Sequence, residues 1–136
     1  MKKWMKIALI VLCVVLVFEV LAWVIGIRVN PLAVEKIELY SYDYENDEEY
    51  HVELTEEEKW MVSLLYNMST IMRKLYADPP PMSDRLVIYS ESGEMFSVAP
   101  LDNEKLLTKQ SYYKISNPLL YKYIQLLLEK HGLPAW

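Results

Sequence analysis

The chain has 136 residues, 53% of them hydrophobic and 24% charged, with 3 Gly and 7 Pro, a composition that excludes a disordered, collagen-like or low-complexity protein. Its single cysteine excludes a disulfide-stapled scaffold and a cysteine-based zinc finger. The formal charge of −5 is unevenly spread: Lys2, Lys3, Lys6 and Arg28 outweigh Glu19 in residues 1–28, the remainder is strongly acidic, and segments so unlike suit different solvents.

The run Ile7–Ile27 is interrupted by one ionisable group, Glu19. As a helix it rises about 31 Å, enough for the hydrocarbon core of a bilayer. Residues 1–28 therefore read as a transmembrane anchor, with about 7–27 in the bilayer. Three lysines precede the run and only Arg28 follows closely, so the positive-inside rule puts the N-terminus in the cytoplasm and the rest outside the cell membrane. Trp4 and Trp23 suit the two interfaces. A cleaved signal peptide would have a shorter apolar core and small residues before the cut, and Val11-Leu12-Cys13 lacks the small residue that precedes a lipidated cysteine, so the anchor reads as uncleaved. Glu19, read as lying near mid-span, costs about 2.5–3.5 kcal/mol on insertion scales. Helical spacing aligns it with Ala8, Leu12, Val15, Ala22 and Gly26, and Ala22/Gly26 is a small-xxx-small pair. Glu19, Ala22 and Gly26 are thus candidates for a helix–helix contact; a protonated, tolerated Glu19 is the plainer reading.

Asn30-Pro31 marks the end of the anchor, and residues 29–34 read as a short linker. Residues 35–44 alternate as a strand, Tyr50 to Leu54 alternates again, and the polar run 45–49 joins them as a hairpin. Thr55-Glu56-Glu57-Glu58 is a capping box. Met61, Leu64, Leu65, Met68, Ile71, Met72 and Leu75 then recur at spacings of three and four, predicting one long amphipathic helix with these residues in the core, ended by Asp78-Pro79-Pro80-Pro81. Residues 85–90 and 95–99 read as a hairpin turning through Glu91-Ser92-Gly93-Glu94, and 110–115 as a further strand. Asn117 and Pro118 open a last helix with Leu120, Tyr123, Ile124, Leu127 and Leu128 inward; Lys130, His131, Gly132 and Pro134 end it. Hairpin, helix, hairpin, strand, helix over residues 35–136 is an α+β domain, a small antiparallel sheet with two helices on one face.

No nucleophile–base pair, zinc motif or glycine-rich phosphate loop occurs. His51 reads as a strand surface residue and His131 as a helix-terminal charge. Asp43-Tyr44-Glu45-Asn46-Asp47 begins like a calcium loop, but Glu48 stands where such a loop needs Gly and Leu54 where it needs the last Glu, so an acidic turn is the simpler reading. No catalytic residue, metal or cofactor is expected. Acids crowd residues 35–58, while lysines mark 105–136. The acidic hairpin either packs beside the basic C-terminal strand or faces a cationic partner. The acidic balance and outside location disfavour nucleic acid. Tyr40, Tyr42, Tyr44 and Tyr50 gather in the first hairpin, where tyrosine suits both half-buried strands and recognition surfaces.

On Leu54-Thr55-Glu56-Glu57-Glu58 leading into a helix, the turn Glu91-Ser92-Gly93-Glu94, and Tyr112-Tyr113-Lys114-Ile115-Ser116 leading into the last helix, the chain resembles a broad group of small extracytoplasmic domains of Gram-positive bacteria, lipoproteins or single-span membrane proteins of unassigned function. The resemblance covers most of residues 35–131, rests on element order, implies no active residue, and departs from the lipoprotein members in lacking a lipidation site. The expectation is a single-pass membrane protein whose extracytoplasmic domain is a non-catalytic binding, sensor or immunity-type module. Its candidate contact residues are Tyr40, Tyr42, Tyr44, Asp47, Glu48 and Glu49, and its candidate partner is a membrane protein or a cationic peptide. One alternative is a membrane subunit acting through the Glu19/Ala22/Gly26 face of its helix; another is a hydrolase with distant acids such as Asp84 and Glu94.

Overall fold

The computed structural model describes residues 2–24, 27–74, 83–91, 93–100, 106–108 and 113–136. An apolar helix, α1 (Lys3–Val24), comes first, and its residues from Ile7 to Leu16 are exposed on every side. It is long and apolar enough to cross a membrane. The anchor differs from its sequence reading at the far end. The described helix runs Lys3–Val24, with Glu19 in its last turn and a half.

The residues read as anchor end and linker are packed structure. Ile27 and Val29 are fully buried, Arg28 is 7% exposed, and Val34 is buried. Asn30 caps a 3-10 turn, Pro31–Ala33, its side chain accepting from the Leu32 amide. From Ile27 onward the chain is already part of the domain core.

Seven strands then form one antiparallel sheet. They are β1 (Lys36–Asp43), β2 (Glu48–Glu53), β3 (Thr70–Lys74), β4 (Arg85–Ser90), β5 (Gly93–Pro100), β6 (Leu106–Thr108) and β7 (Tyr113–Ser116). Their order is β2-β1-β4-β5-β6-β7-β3. Helices α2 (Glu56–Tyr66) and α3 (Pro118–Lys130) cover one face. The alternation expected for β1 sets the register: Ile37 and Leu39 point inward, opposite Ile88 and Leu86 of β4. Val98, Leu106 and Ile115 continue the buried layer, and Val62 and Tyr66 of α2 with Leu120, Ile124, Leu127 and Leu128 of α3 close it. The fold is thus the α+β arrangement read from the sequence.

The largest departure is in α2. The methionine stripe predicts a helix to about residue 77 with Met61, Met68 and Met72 inside. The helix ends at Tyr66, and Met61, Leu64, Met68 and Met72 are exposed. The buried face is Glu58, Val62, Ser63 and Tyr66. Residues beyond Ser69 instead pair with β7 as edge strand β3, with Thr70 opposite Ser116 and Ile71 opposite Ile115. The physical cause is the turn at Asn67–Ser69: its polar groups are bound to Val29, Arg28 and Asn117, and a continued helix would break those bonds. Leu75, the triple-proline stretch and Ser92 lie outside the described residues.

The second hairpin forms as expected, but β5 begins at Gly93, whose φ of +122° a side chain would strain. The last predicted strand overlaps β7 at Tyr113–Ile115, and β6, Leu106–Thr108, is an additional strand. The acidic hairpin does not lie beside the basic C-terminal strand, since four strands separate β2 from β7.

Asn117 caps α3 and ties both helices together. Its Oδ1 accepts from the Leu120 amide at 3.1 Å, while Nδ2 donates to the Leu65 carbonyl at 2.7 Å and to Ser69 Oγ at 2.9 Å. Asn117→Ala removes the cap and leaves the Leu65 carbonyl without that donor. It is expected to destabilise the domain by about 2 kcal/mol, read as a lowered urea midpoint at unchanged slope.

Candidate functional site

Two regions bring the chain's functional groups together: the junction with α1, and the first hairpin. At the junction, the Arg28 guanidinium is enclosed by acceptors. Nη2 and Nε donate to Glu19 Oε1 and Oε2 at 3.2 and 3.3 Å, and Nη1 donates to the carbonyls of Ile27 at 3.0 Å and Ser69 at 2.8 Å. The fork geometry of arginine suits a carboxylate bound through both oxygens. The Phe18 ring lies 6.0 Å from the guanidinium carbon. Beside it, Asn67 acts as a one-residue strand: its Oδ1 accepts from the Val29 amide at 2.6 Å and its Nδ2 donates to the Val29 carbonyl at 2.7 Å. Glu19, Arg28, Ser69 and Asn117 thus form a continuous polar chain from α1 to the cap of α3.

Of the residues predicted for a helix–helix contact, Glu19 is bound to the chain's own Arg28, and Ala22 is fully buried within the chain. Gly26 lies outside the described residues. Arg28 was missed as a partner of Glu19 because it stands beyond the predicted span; the nine-residue separation fits no single helical register.

In the first hairpin, one sheet face carries a row of aromatic and charged side chains. The register sets Tyr40 opposite His51 and Arg85, and Tyr42 opposite Glu49. Tyr40 and His51 stack with centroids 5.3 Å apart, and the Arg85 guanidinium lies 3.9 Å from the Tyr40 ring centroid. Arg85 also pairs with Glu49 at 3.4 Å. The Tyr40 hydroxyl donates to Glu38, which raises the Tyr40 phenol well above its usual range and lowers the Glu38 carboxyl. Lys36 pairs with Glu38 at 3.0 Å and stands over Tyr89. Tyr42 and Tyr44 meet edge to face at 4.8 Å.

The turn and edge are more open. Asp43 Oδ1 accepts from the amides of Glu45 and Asn46 and Oδ2 from the Asn46 side chain, so its carboxylate organises the turn. These bonds hold the Asp43 carboxyl below its usual range, the Asn46 side chain contributing most. Asp47 takes a left-handed φ of 53° that carries the chain into β2. Glu48 accepts from the Tyr50 hydroxyl at 2.6 Å. Tyr44, Asp47, Glu48 and Glu49 are exposed, while Tyr40 and Tyr42 are half-buried. The structure therefore brings the six predicted contact residues to one edge of the sheet. Among the described residues strand β2 is the edge of the sheet, paired only with β1. Among the described residues no group of three His, Cys, Asp or Glu could hold a metal ion.

The acids of the alternative hydrolase do not converge. Asp84 precedes β4 and accepts from the Tyr42 amide at 2.9 Å, and burial raises its carboxyl above the usual range. The register sets Glu94 opposite Tyr89, toward the other end of β4 from Asp84.

His131 is part of a structural clamp. Glu58 completes the capping box at the start of α2, accepting from the Thr55 amide at 2.9 Å, and also binds Lys130 at 2.9 Å and His131 Nε2 at 3.1 Å from the end of α3. Sequence reasoning identified the cap but not this second use of the same carboxylate.

No protein-family model, curated protein or solved structure matches this chain.

Proposed function

We propose that the chain is a single-pass membrane protein with a cytoplasmic N-terminus, and that its extracytoplasmic domain is a non-catalytic binding module of the accessory, sensor or immunity type. The resemblance to extracytoplasmic domains of Gram-positive bacteria belongs to this reading. The partner it favours is a cationic peptide or a basic protein segment, taken on the acidic first hairpin. One observation carries it: the exposed edge strand β2 adjoins a face of stacked Tyr40, His51 and Arg85, and among the described residues Glu45, Asp47 and Glu53 have no salt-bridge partner. Free carboxylates attract a basic partner, and an open edge offers backbone hydrogen bonds to an extended peptide. Anchoring raises the local concentration of such a site at the membrane, so modest affinity suffices. The rival reading, a subunit acting through Glu19 and Ala22, is weakened because both are engaged within the chain.

The test has two arms. With Cys13→Ser and Glu45→Cys introduced, a membrane-impermeant maleimide is expected to label intact cells; labelling only after permeabilisation would reverse the orientation. The full chain in phosphatidylcholine vesicles is expected to bind a lysine-rich peptide about ten-fold more weakly when Glu45→Lys and Asp47→Asn are combined, with the difference shrinking as salt rises. Equal binding by the two forms would remove the hairpin as the recognition face.

A further inference from the structure

The stripe that the sequence assigns to the core is exposed, and its position gives it a different use. Leu32 is 81% exposed, Leu64 52%, Met68 57% and Met72 49%. Met68 lies between Asn67, which brackets the Val29 backbone, and Ser69, which receives Arg28. Leu64 is one helical turn earlier, and Leu32 follows Val29 by three residues on the turn that contacts α2. Leu32, Leu64 and Met68 therefore lie close to the segment by which the chain leaves α1.

The domain also overlaps α1 in height. Arg28 reaches back to Glu19, and Ala22 is fully buried, so the junction lies alongside the last turn and a half of the helix. Those residues cover about 7 Å of rise. A span needs about 20 residues to cross the hydrocarbon and α1 has 22, so its last turn, at Ala22 to Val24, comes to the boundary between acyl chains and headgroups, with Glu19 about one turn deeper. A surface at the same level meets lipid, and exposed apolar side chains there are stabilised by burial in it.

We propose that Leu32, Leu64 and Met68 form a lipid-contact surface that seats the folded domain in the headgroup region of a phospholipid bilayer. This rests on α1 being a membrane span. It would fix the tilt of the domain relative to the bilayer.

The test uses the full chain with Cys13→Ser, reconstituted in phosphatidylcholine and phosphatidylglycerol vesicles and labelled with an environment-sensitive dye at a single introduced cysteine. Met68→Cys and Leu32→Cys report the proposed surface; Leu16→Cys reports the span and Glu45→Cys the distant hairpin. Dyes at positions 68 and 32 are expected to emit blue-shifted light and to be quenched by spin-labelled lipid several-fold more strongly than the dye at 45. If the dye at 16 is quenched while those at 68 and 32 behave like that at 45, the lipid surface is overturned and the span survives. Absence of quenching at 16 overturns both. Water protection at 68 that grows with protein density, without quenching by lipid, would assign the face to a second copy of the chain and also overturn the proposal.

Discussion

Arg28→Ala is expected to destabilise the protein by about 2–3 kcal/mol, because it removes a nearly buried guanidinium and its charge-assisted hydrogen bonds, while its partner Glu19 stays 45% exposed. Arg28 is 7% exposed and gives four hydrogen bonds, two to Glu19 and one each to the Ile27 and Ser69 carbonyls. Without it, the Glu19 carboxylate on α1 loses its ion-pair partner and the Ser69 carbonyl loses a buried donor. Arg28→Lys is expected to recover only part of the loss, because an ammonium cannot reach two carboxylate oxygens and two carbonyls in one plane. Combining Arg28→Leu with Glu19→Leu is expected to be milder than Arg28→Ala, since it removes both charges together. Thermal unfolding of the full chain in lipid nanodiscs, run as a double-mutant cycle, measures this. Additive effects of Glu19 and Arg28 would mean that the pair does not couple α1 to the domain.

The second large effect belongs to Glu58 and depends on pH. Burial pushes its carboxyl upward, but the Thr55 amide, Lys130 and His131 together outweigh burial and hold it down to about 2, against an ordinary value of 4.5. The folded state therefore binds this proton less readily than the unfolded state. The stabilisation is fully present above pH 4.5 and is lost as pH falls from there towards 2. It amounts to about 3 kcal/mol on the linkage relation. Glu58→Gln is expected to lower stability by about 2–3 kcal/mol at pH 7 and to flatten the acid limb. Urea unfolding of both forms at pH 7, 5, 4 and 3 isolates the effect, because the other depressed carboxyls, Glu38 and Asp43, are common to both. Parallel acid limbs would show that the clamp is not formed. Lys130→Met is expected to have a smaller effect, because the lysine side chain is 63% exposed and its charge is well solvated without the pair.

Much of the fold was legible because its signals are local. The unbroken apolar run predicts α1, and the Thr55/Glu58 box and the Asn117-Pro118 cap predict where α2 and α3 begin. The alternation of Ile37 and Leu39 predicts the inner face of β1, and Gly93 predicts a turn that needs positive φ. The contact residues from Tyr40 to Glu49 could be grouped because a hairpin keeps sequence neighbours together in space.

The end of α2 was not legible for the opposite reason. Met68 and Met72 continue the helical period, yet Asn67 and Ser69 are bound to Val29, Arg28 and Asn117, and β3 finds its partner in β7. Periodicity records that a side chain is apolar, without recording whether the rest of the protein covers it. Here Met61, Leu64, Met68 and Met72, which look most like core, are exposed.

Local chemistry alone thus decides the membrane-length helix, the helix starts, the first two hairpins and the α+β class, because caps, turns and alternation act between residues a few positions apart. Tertiary structure alone decides that Glu19 is neutralised by Arg28, that one carboxylate at Glu58 both caps α2 and holds α3, and which face of α2 is buried. Those outcomes depend on groups brought together across 9 to 73 positions, and the free energy of such contacts exists only after the chain has closed the intervening loops.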